Sequence, residues 1–428
     1  MLRNACTTVA ALAFLAGVAR ADVADDLILP EGFAARVVYE GSGPARHLAV
    51  RDNGDIYVTT QLEPFTEYDP KLNRGVMALR DTNKDGVFDV AESFTEILGT
   101  GIRFYEGALY VSDQVGIYRF QFDGDELVPA KPRETIVGGF PHEAQHGDKT
   151  FAFDKKGRMY VNVGAPSNSC QEQDRTPGSP GLQPCPLRER AAGIWHFDAR
   201  RTNQKPEDGV HYATGIRNAV AIEWSAKGDA LFVVVHGRDQ LDSLWPQYFS
   251  EEDNAETVSE EMHLVREGGD YGWPYTHFDV RRGKRMIAPE YGGDGKTPAP
   301  PGKYEDPIVA FPAHWAPGDL LFYNGSAFPA KYRGGAFIAF HGSWNRAPLP
   351  QSGYTVVFVP FKGQKVSGEW SKFIDNFTLG HIEDNHPAKA RYRPIGLAQD
   401  NAGALYVMDS RRGRIWKVTY EPGAKRRS

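Results

Sequence analysis

Five segments of the chain repeat one pattern: an apolar run, a turn carrying glycine, and an apolar-aromatic run that returns. They are Leu48–Val58, Ile102–Val111, Phe151–Val161, Ala221–Val233 and Leu397–Val407. A degenerate sixth, Lys331–Phe340, lies between the last two. Asp, Asn or Lys beside Gly supplies the turn, and the β-branched and aromatic flanks supply the strands, so each segment reads as a β-hairpin. A hairpin repeated at this scale cannot bury its apolar faces alone. It must stack on its neighbours, and antiparallel units of this kind stack radially into a β-propeller. Six cassettes predict an all-β, six-bladed propeller. Such a fold gathers loops from every blade around one axis, where a ligand has room to sit. Residues 22–40 contain Phe33–Tyr39, a strand placed to close the ring against the last blade.

Residues 1–21 read as a cleaved signal peptide: Arg3 near the start, an apolar run from Ala5 to Val18, then Ala19-Arg20-Ala21 before Asp22. The run is too short to span a bilayer, and no later segment is apolar enough to do so. The expectation is a periplasmic or secreted protein with no stable membrane insertion, whose residues 22–428 form one propeller domain. The formal charge of −6 and the absence of a contiguous basic stretch exclude nucleic acid as a partner. Cys6 leaves with the leader. Cys170 and Cys185 remain in an oxidising compartment, flanking a Pro/Gly-rich loop, and read as a disulfide; no second pair of soft ligands supports a metal site there.

Several short segments carry chemistry. In Asp81–Glu92, oxygen donors fall at Asp81, Asn83, Asp85, the Val87 carbonyl, Asp89 and Glu92, with Gly86 at the tight turn. That spacing wraps Ca²⁺ in hard oxygen ligands. Its strand-like flanks point to a structural ion; the bland alternative is an acidic surface turn. His146 precedes the third cassette, as Arg217 and Asn218 precede the fourth and Arg391-Tyr392-Arg393 the last. Taken alone, His146 is either a general base near the axis or a hydrogen-bonded structural histidine. Residues two apart on a strand share a face, which would aim Arg391 and Arg393 at one planar polyanion; otherwise they are exposed edge arginines. Gly268-Gly269 lies in a turn with exposed carbonyls, and His341–Arg346 adds Trp344 and Arg346 beside another strand end. The stretch from Arg238 to Gly325 is rich in Pro, Gly, Trp and Tyr and reads as insertions on one face of the propeller.

Taken in order, His146–Thr150, Gly164–Cys170, Thr214–Asn218, Glu267–Pro274, His341–Arg346 and Arg391–Arg393 resemble the soluble PQQ-dependent sugar dehydrogenases. The glucose, aldose, sorbosone dehydrogenase-like and pyranose dehydrogenase-like enzymes form this family, and the last two branches are the nearest in look. The resemblance implies PQQ and Ca²⁺ as cofactors and a sugar or related alcohol or aldehyde as substrate. It implies a quinone or cytochrome c as electron acceptor. It makes His146 the base, Arg217 the partner of the reacting carbonyl and Asn218 a cofactor contact. Gly268 and Gly269 become carbonyl ligands of the cofactor calcium, and Arg391 and Arg393 a clamp on PQQ carboxylates. Trp344, Arg346 and His314 fall near cofactor-lining stretches. One departure stands out. Where the glucose enzyme has Gly-Asp, its Asp orienting the base, this chain has Gly164-Ala165, leaving Asn168 or Glu143 as candidate orienting groups. A lactonase-type calcium-dependent hydrolase and a non-catalytic binding propeller are the rival readings.

Overall fold

The computed structural model describes residues 27–61, 75–381 and 385–423. The expected leader, residues 1–21, lies outside the described residues. Six sheets are arranged as the blades of a propeller. Blade one is built from Ala45–Val50, Ile56–Thr60, Val76–Arg80 and Val90–Thr95; blade two from Ile102–Tyr105, Ala108–Ser112, Gly116–Phe120 and Glu134–Gly138. Blade three pairs Phe151–Phe153, Arg158–Val163, Gly193–Asp198 and Val210–Thr214, and adds the short outer strand Gly269–Asp270. Blade four holds Ala221–Ser225, Ala230–Val235, Glu260–Val265 and Val309–Phe311; blade five Pro317–Phe322, Ala336–Phe340, Thr355–Val359 and Ser371–Ile374. Blade six combines Pro394–Gln399, Leu405–Asp409 and Ile415–Tyr420 with the N-terminal strand Phe33–Tyr39. That last pairing is antiparallel, Phe33 facing Tyr420, and it closes the ring as expected.

The reason the second strands are apolar on both faces is the radial stacking itself. Ile56 and Val58 join the cluster shared with blade six, whereas Tyr57 joins the cluster shared with blade two. The same division recurs around the ring, with one apolar cluster between each pair of successive blades. Every blade is therefore a layer with no solvent face, and its hydrophobic burial is contributed by both neighbours.

The first strands touch one another in order around the axis. Their side chains meet in a charged cluster within the central channel. Arg103 of blade two donates to Asp319 of blade five at 2.8 Å and pairs with Glu223 of blade four at 3.5 Å. Asp319 also accepts the backbone N–H of Leu397 in blade six and lies 4.0 Å from His47 of blade one. Five blades are thus tied together through one cluster, four of them at the buried Asp319 carboxylate and the fifth through Arg103.

Two expectations change in detail. The sixth cassette supplies only its second strand, Ala336–Phe340; the first is Pro317–Phe322, reached through a longer connection that includes the 3₁₀ turn Ala330–Tyr332. The Arg238–Gly325 stretch is not insertion alone, because it contributes the third and fourth strands of blade four. It also carries helices Leu241–Leu244 and Glu251–Thr257 and the hairpin Thr276–Asp279/Lys284–Ile287. The second helix starts at a capping box, in which Ser250 Oγ accepts from Asp253 N–H and Asp253 accepts from Ser250 N–H.

Candidate functional site

In antiparallel blades the start of each first strand and the end of each second strand open on the same face. Loops at those points place His146, Arg217, His236, Asp239 and His314 around one cavity of about 240 Å³, completed by Arg175, Glu260, Trp344 and Asn345. Four of its lining residues, His146, Arg175, His314 and Ala316, hold positive φ between 52° and 61°. Left-handed backbone at non-glycine residues costs free energy and persists only where the surroundings enforce it, as around ligand sites.

His146 Nδ1 lies 2.5 Å from the Ala165 carbonyl oxygen. A carbonyl only accepts, so Nδ1 carries the proton and Nε2 keeps its lone pair. The backbone of Ala165 therefore does what Asn168 or Glu143 was expected to do. Asn168 is committed elsewhere, to Arg217 and Asp239, and Glu143 pairs with Arg190. Gly164 makes the close approach possible, because a Cβ there would stand 2.6 Å from His146 Cβ. Burial, with the Arg217 charge next in weight, pushes the imidazole pKa down to about 3, so it is neutral at physiological pH.

Arg217 is buried and donates to the carbonyls of Asn168 and Gly237, to Asn168 Oδ1 and to Asp239 Oδ2, at 2.9–3.1 Å. Four of its five N–H groups are thereby used, and the fifth, on Nη1, belongs to a side chain lining the cavity. Asp239 also accepts from Arg175 at 3.3 Å and from Asn345 at 2.6 Å. Burial opposes its ionisation, but Arg217, His314 and Arg175 hold its carboxyl well below the usual range. Glu260 accepts N–H bonds from Ala316 and Gly237; burial outweighs them and raises its pKa to about 7. His314 directs Nε2 at the Asn254 carbonyl, 2.8 Å away.

The remaining predicted residues fall in different places. Asn218 accepts from Asn162 and packs beneath Gly164, behind the cavity wall. Trp344 lines the cavity and is 57% exposed, offering an aromatic plane at its mouth. Arg346 is buried and is not among the cavity-lining residues, pairing with Glu256 and the carbonyls of Ala255, Ala313 and Pro350. Asn345 takes its expected place. Arg391 and Arg393 precede the strand, which begins at Pro394, and do not share a face. Arg393 is buried, donating to the carbonyls of His341 and Gly342, whereas Arg391 is exposed beside the Tyr392 ring. Gly268 and Gly269 lie elsewhere. Gly269 pairs with Ala213 at the outer edge of blade three, and Gly268 is exposed, so their turn is not brought to the cavity.

Cys170 and Cys185 form the expected disulfide, and the loop they close holds Arg175 against Asp239. In the Asp81–Glu92 segment, Asn83 and Asp85 accept the N–H groups of Asp85 and Val87 in consecutive Asx turns, and Asp81 accepts that of Gly86 across the loop. Gly86 sits at φ 90° and Asp81 Oδ1 is buried with no partner. Asp89 is taken up by Thr82 at both oxygens, and Glu92 is exposed on the strand opposite Ala78. Among the described residues no three His, Cys, Asp or Glu side chains gather into a metal cluster.

A family profile described as TrAA12-like matches residues 27–421, nearly the whole of the described chain. The chain belongs to the TrAA12-like family. The PQQ-dependent pyranose dehydrogenase of Coprinopsis cinerea is 28% identical to this TrAA12-like chain over 432 residues, covering 90% of it and 54% of the relative. An uncharacterised protein of Borreliella burgdorferi is 27% identical over 222 residues, covering 51% of each. The chain thus spans about half the length of the curated relatives it matches. Among solved structures, the calcium structure of Trichoderma reesei family AA12 has a TM-score of 0.72 at 18% identity, covering 94% of this chain and 98% of the other. The holo PQQ domain of the Coprinopsis pyranose dehydrogenase has a TM-score of 0.69 at 18% identity, covering 92% and 97%. At such identities the likeness establishes the propeller fold. No described helix is long and apolar enough to cross a membrane.

Sequence reasoning missed Arg175, His236, Asp239, Glu260 and Asn345. A signal for two of them was present. His236-Gly237 follows the second strand of blade four just as His341-Gly342 follows that of blade five, so residues shortly after each pair were candidates for the same face.

Proposed function

We propose that this TrAA12-like protein is a PQQ-dependent dehydrogenase that oxidises a sugar, or a related alcohol or aldehyde, and passes electrons to a quinone or cytochrome c. The observation that carries the reading is the Ala165-fixed His146 imidazole, presenting an unprotonated Nε2 in a cavity lined by two guanidinium groups. PQQ, when bound, supplies the two-electron acceptor. The cavity residues suit a flat polyanion, since Arg175 and Arg217 supply positive charge and Trp344 an exposed ring for stacking. His146 Nε2 receives the proton of the substrate hydroxyl, a contribution of roughly 10²–10⁴ in rate. The last Arg217 N–H supplies a preorganised donor to an oxygen carrying developing negative charge, commonly worth about 3 kcal/mol. Asp239 keeps Arg217 charged and oriented. Arg393, the more buried of the expected arginine pair, remains the better candidate for a cofactor carboxylate, and His314 for its ring edge.

Calcium is assigned to the Asp81–Glu92 loop as a structural ion, supported by the unpartnered Asp81 Oδ1 and the left-handed turn at Gly86. Export through the residue 1–21 leader fits a disulfide-bearing propeller. The test is reconstitution of purified protein with PQQ and Ca²⁺ in the presence of an artificial electron dye and a panel of sugars, alcohols and aldehydes. Saturable PQQ binding with substrate-dependent bleaching is expected. A protein that binds no PQQ, yet opens lactones with Ca²⁺ alone, would be a propeller hydrolase instead.

A further inference from the structure

Behind the reaction cavity, between blades three and four, lies a second and smaller one of about 30 Å³. Arg217, His236 and Gly237 line both, forming the partition between them. A water needs about 10–15 Å³ of such space, so the inner cavity has room for about two. Its wall carries five buried polar atoms without a hydrogen-bond partner: both ring nitrogens of His277, Nδ1 of His263, Nδ1 of His236 and Nε of Arg238. The side chains are not on the surface, since His277, His263 and Arg238 are only 2–4% exposed. Buried polar groups in folded proteins are paired with protein or with ordered water, and five orphans around one small space match two waters with two to three partners each.

We propose that the inner cavity holds a bound pair of water molecules, and that this pair, reached through His236, carries the substrate proton out of the site during turnover. A sugar seated at the mouth blocks direct return of that proton to bulk solvent, so an exit on the far side of the partition is needed. The transfer is balanced as follows. The substrate O–H and adjacent C–H bonds break: the O–H proton joins His146 Nε2, the O–H pair becomes the new C=O bond, and the C–H hydrogen would leave with its electron pair for the quinone cofactor of the proposed reading, on which this inference rests. His146 then passes its proton to His236, which lines the same cavity, and His236 releases its other ring proton to the waters. From the waters the path continues to His263, whose Nε2 is 3.2 Å from Glu261 Oε2. Glu261 also lines the inner cavity and is held by Arg285 Nη2 at 2.6 Å; Arg285 Nε in turn pairs with Asp306, which is 67% exposed. The proton passes to solvent from Glu261 itself, whose side chain is 12% exposed; Arg285 holds the carboxylate in place and relays no proton.

Burial keeps His236 and His277 neutral at rest, with pKa values near 4 and 3. A neutral imidazole has one donor and one acceptor nitrogen, which a relay requires; an imidazolium would present two donors and interrupt the chain.

The experiment combines diffraction with kinetics on the full chain. A crystal or neutron structure at high resolution is expected to contain two waters bridging His277, His263 and Arg238; a dry cavity overturns the proposal. His277→Leu removes both ring nitrogens and fills part of the space. It is expected to lower kcat about tenfold with KM and PQQ affinity unchanged, to raise the solvent isotope effect, and to recover in imidazole buffer. His277→Gln, which still binds water, is expected to stay within about twofold of wild type. A kcat of His277→Leu within twofold, or a loss that imidazole does not restore, refutes the relay. A wild type that never reduces dye refutes the dehydrogenase reading and the relay together, while the waters are decided by diffraction alone.

Discussion

Asp239→Asn separates stability from cofactor binding, because the structure assigns the two effects opposite signs. The carboxylate accepts from Arg217, Arg175 and Asn345 and sits 3.9 Å from His314 Nδ1. The amide keeps the volume and one acceptor oxygen but removes the charge. Arg217, with a side chain only 4% exposed, is then a buried cation without its counter-ion. Breaking a buried pair from one side costs about 3–5 kcal/mol, and the retained oxygen places this case near 3. Unfolding entropy of about 2.1 cal/mol/K per residue gives roughly 0.8 kcal/mol/K for a chain of some 400 residues. The expected fall in apparent Tm is therefore about 4 °C, measured by calorimetry on apoprotein at one fixed scan rate. In the same variant two guanidinium groups lose a competing anion, so a polyanionic cofactor is expected to bind several-fold more tightly by titration calorimetry. An unchanged Tm would show that Asp239 does not hold Arg217 in place. Weaker PQQ binding would refute the view of the cavity as an anion site.

His146→Ala is expected to retain PQQ and lose at least about a hundredfold in kcat, part of it restored by imidazole; a variant within a few-fold of wild type would move the base to another group. Gly164→Ala, whose methyl group would meet the His146 side chain, should lower kcat while circular dichroism stays that of the wild type; full activity would mean the His146–Ala165 contact is not needed. Asp85→Ala should abolish the Ca²⁺-dependent rise in Tm but spare turnover at low temperature, and a folded, inactive variant would contradict a structural ion there. Acid should destabilise the fold. His146, His236 and His277 have folded pKa values of about 3, 4 and 3, below the unfolded 6.5, so the stability they contribute is present above pH 6.5 and is lost as pH falls below it. Glu223 and Glu260, raised to about 7, work the other way between pH 7 and 4.5. The three histidines outweigh the two carboxyls by a small margin, so lowering pH from 7 to 5 should reduce Tm by the equivalent of about 1 kcal/mol; a Tm that rises would mean these histidines are protonated in the fold.

Blade number, ring closure by Phe33–Tyr39 and the Cys170–Cys185 bridge were legible in the sequence because each rests on local pattern: strand periodicity, turn chemistry, and two cysteines around one loop. His146, Arg217 and Trp344 were legible as neighbours for a related reason, whereas His314 came only from the family resemblance. A repeated hairpin fixes which end of each strand faces the common opening. The sequence could not say which way a side chain turns once there. Arg346 follows Asn345 by one residue, yet a part-buried salt bridge with Glu256 and three backbone carbonyls hold it out of the cavity. Nor could it say that the partner of His146 is a backbone carbonyl, since every residue has one and only tertiary structure chooses which is near. Asp239, Glu260 and the inner cavity lie in the same class. Their roles come from contacts between segments far apart in the chain, where burial without water sets each charge and each proton, and no local pattern records that.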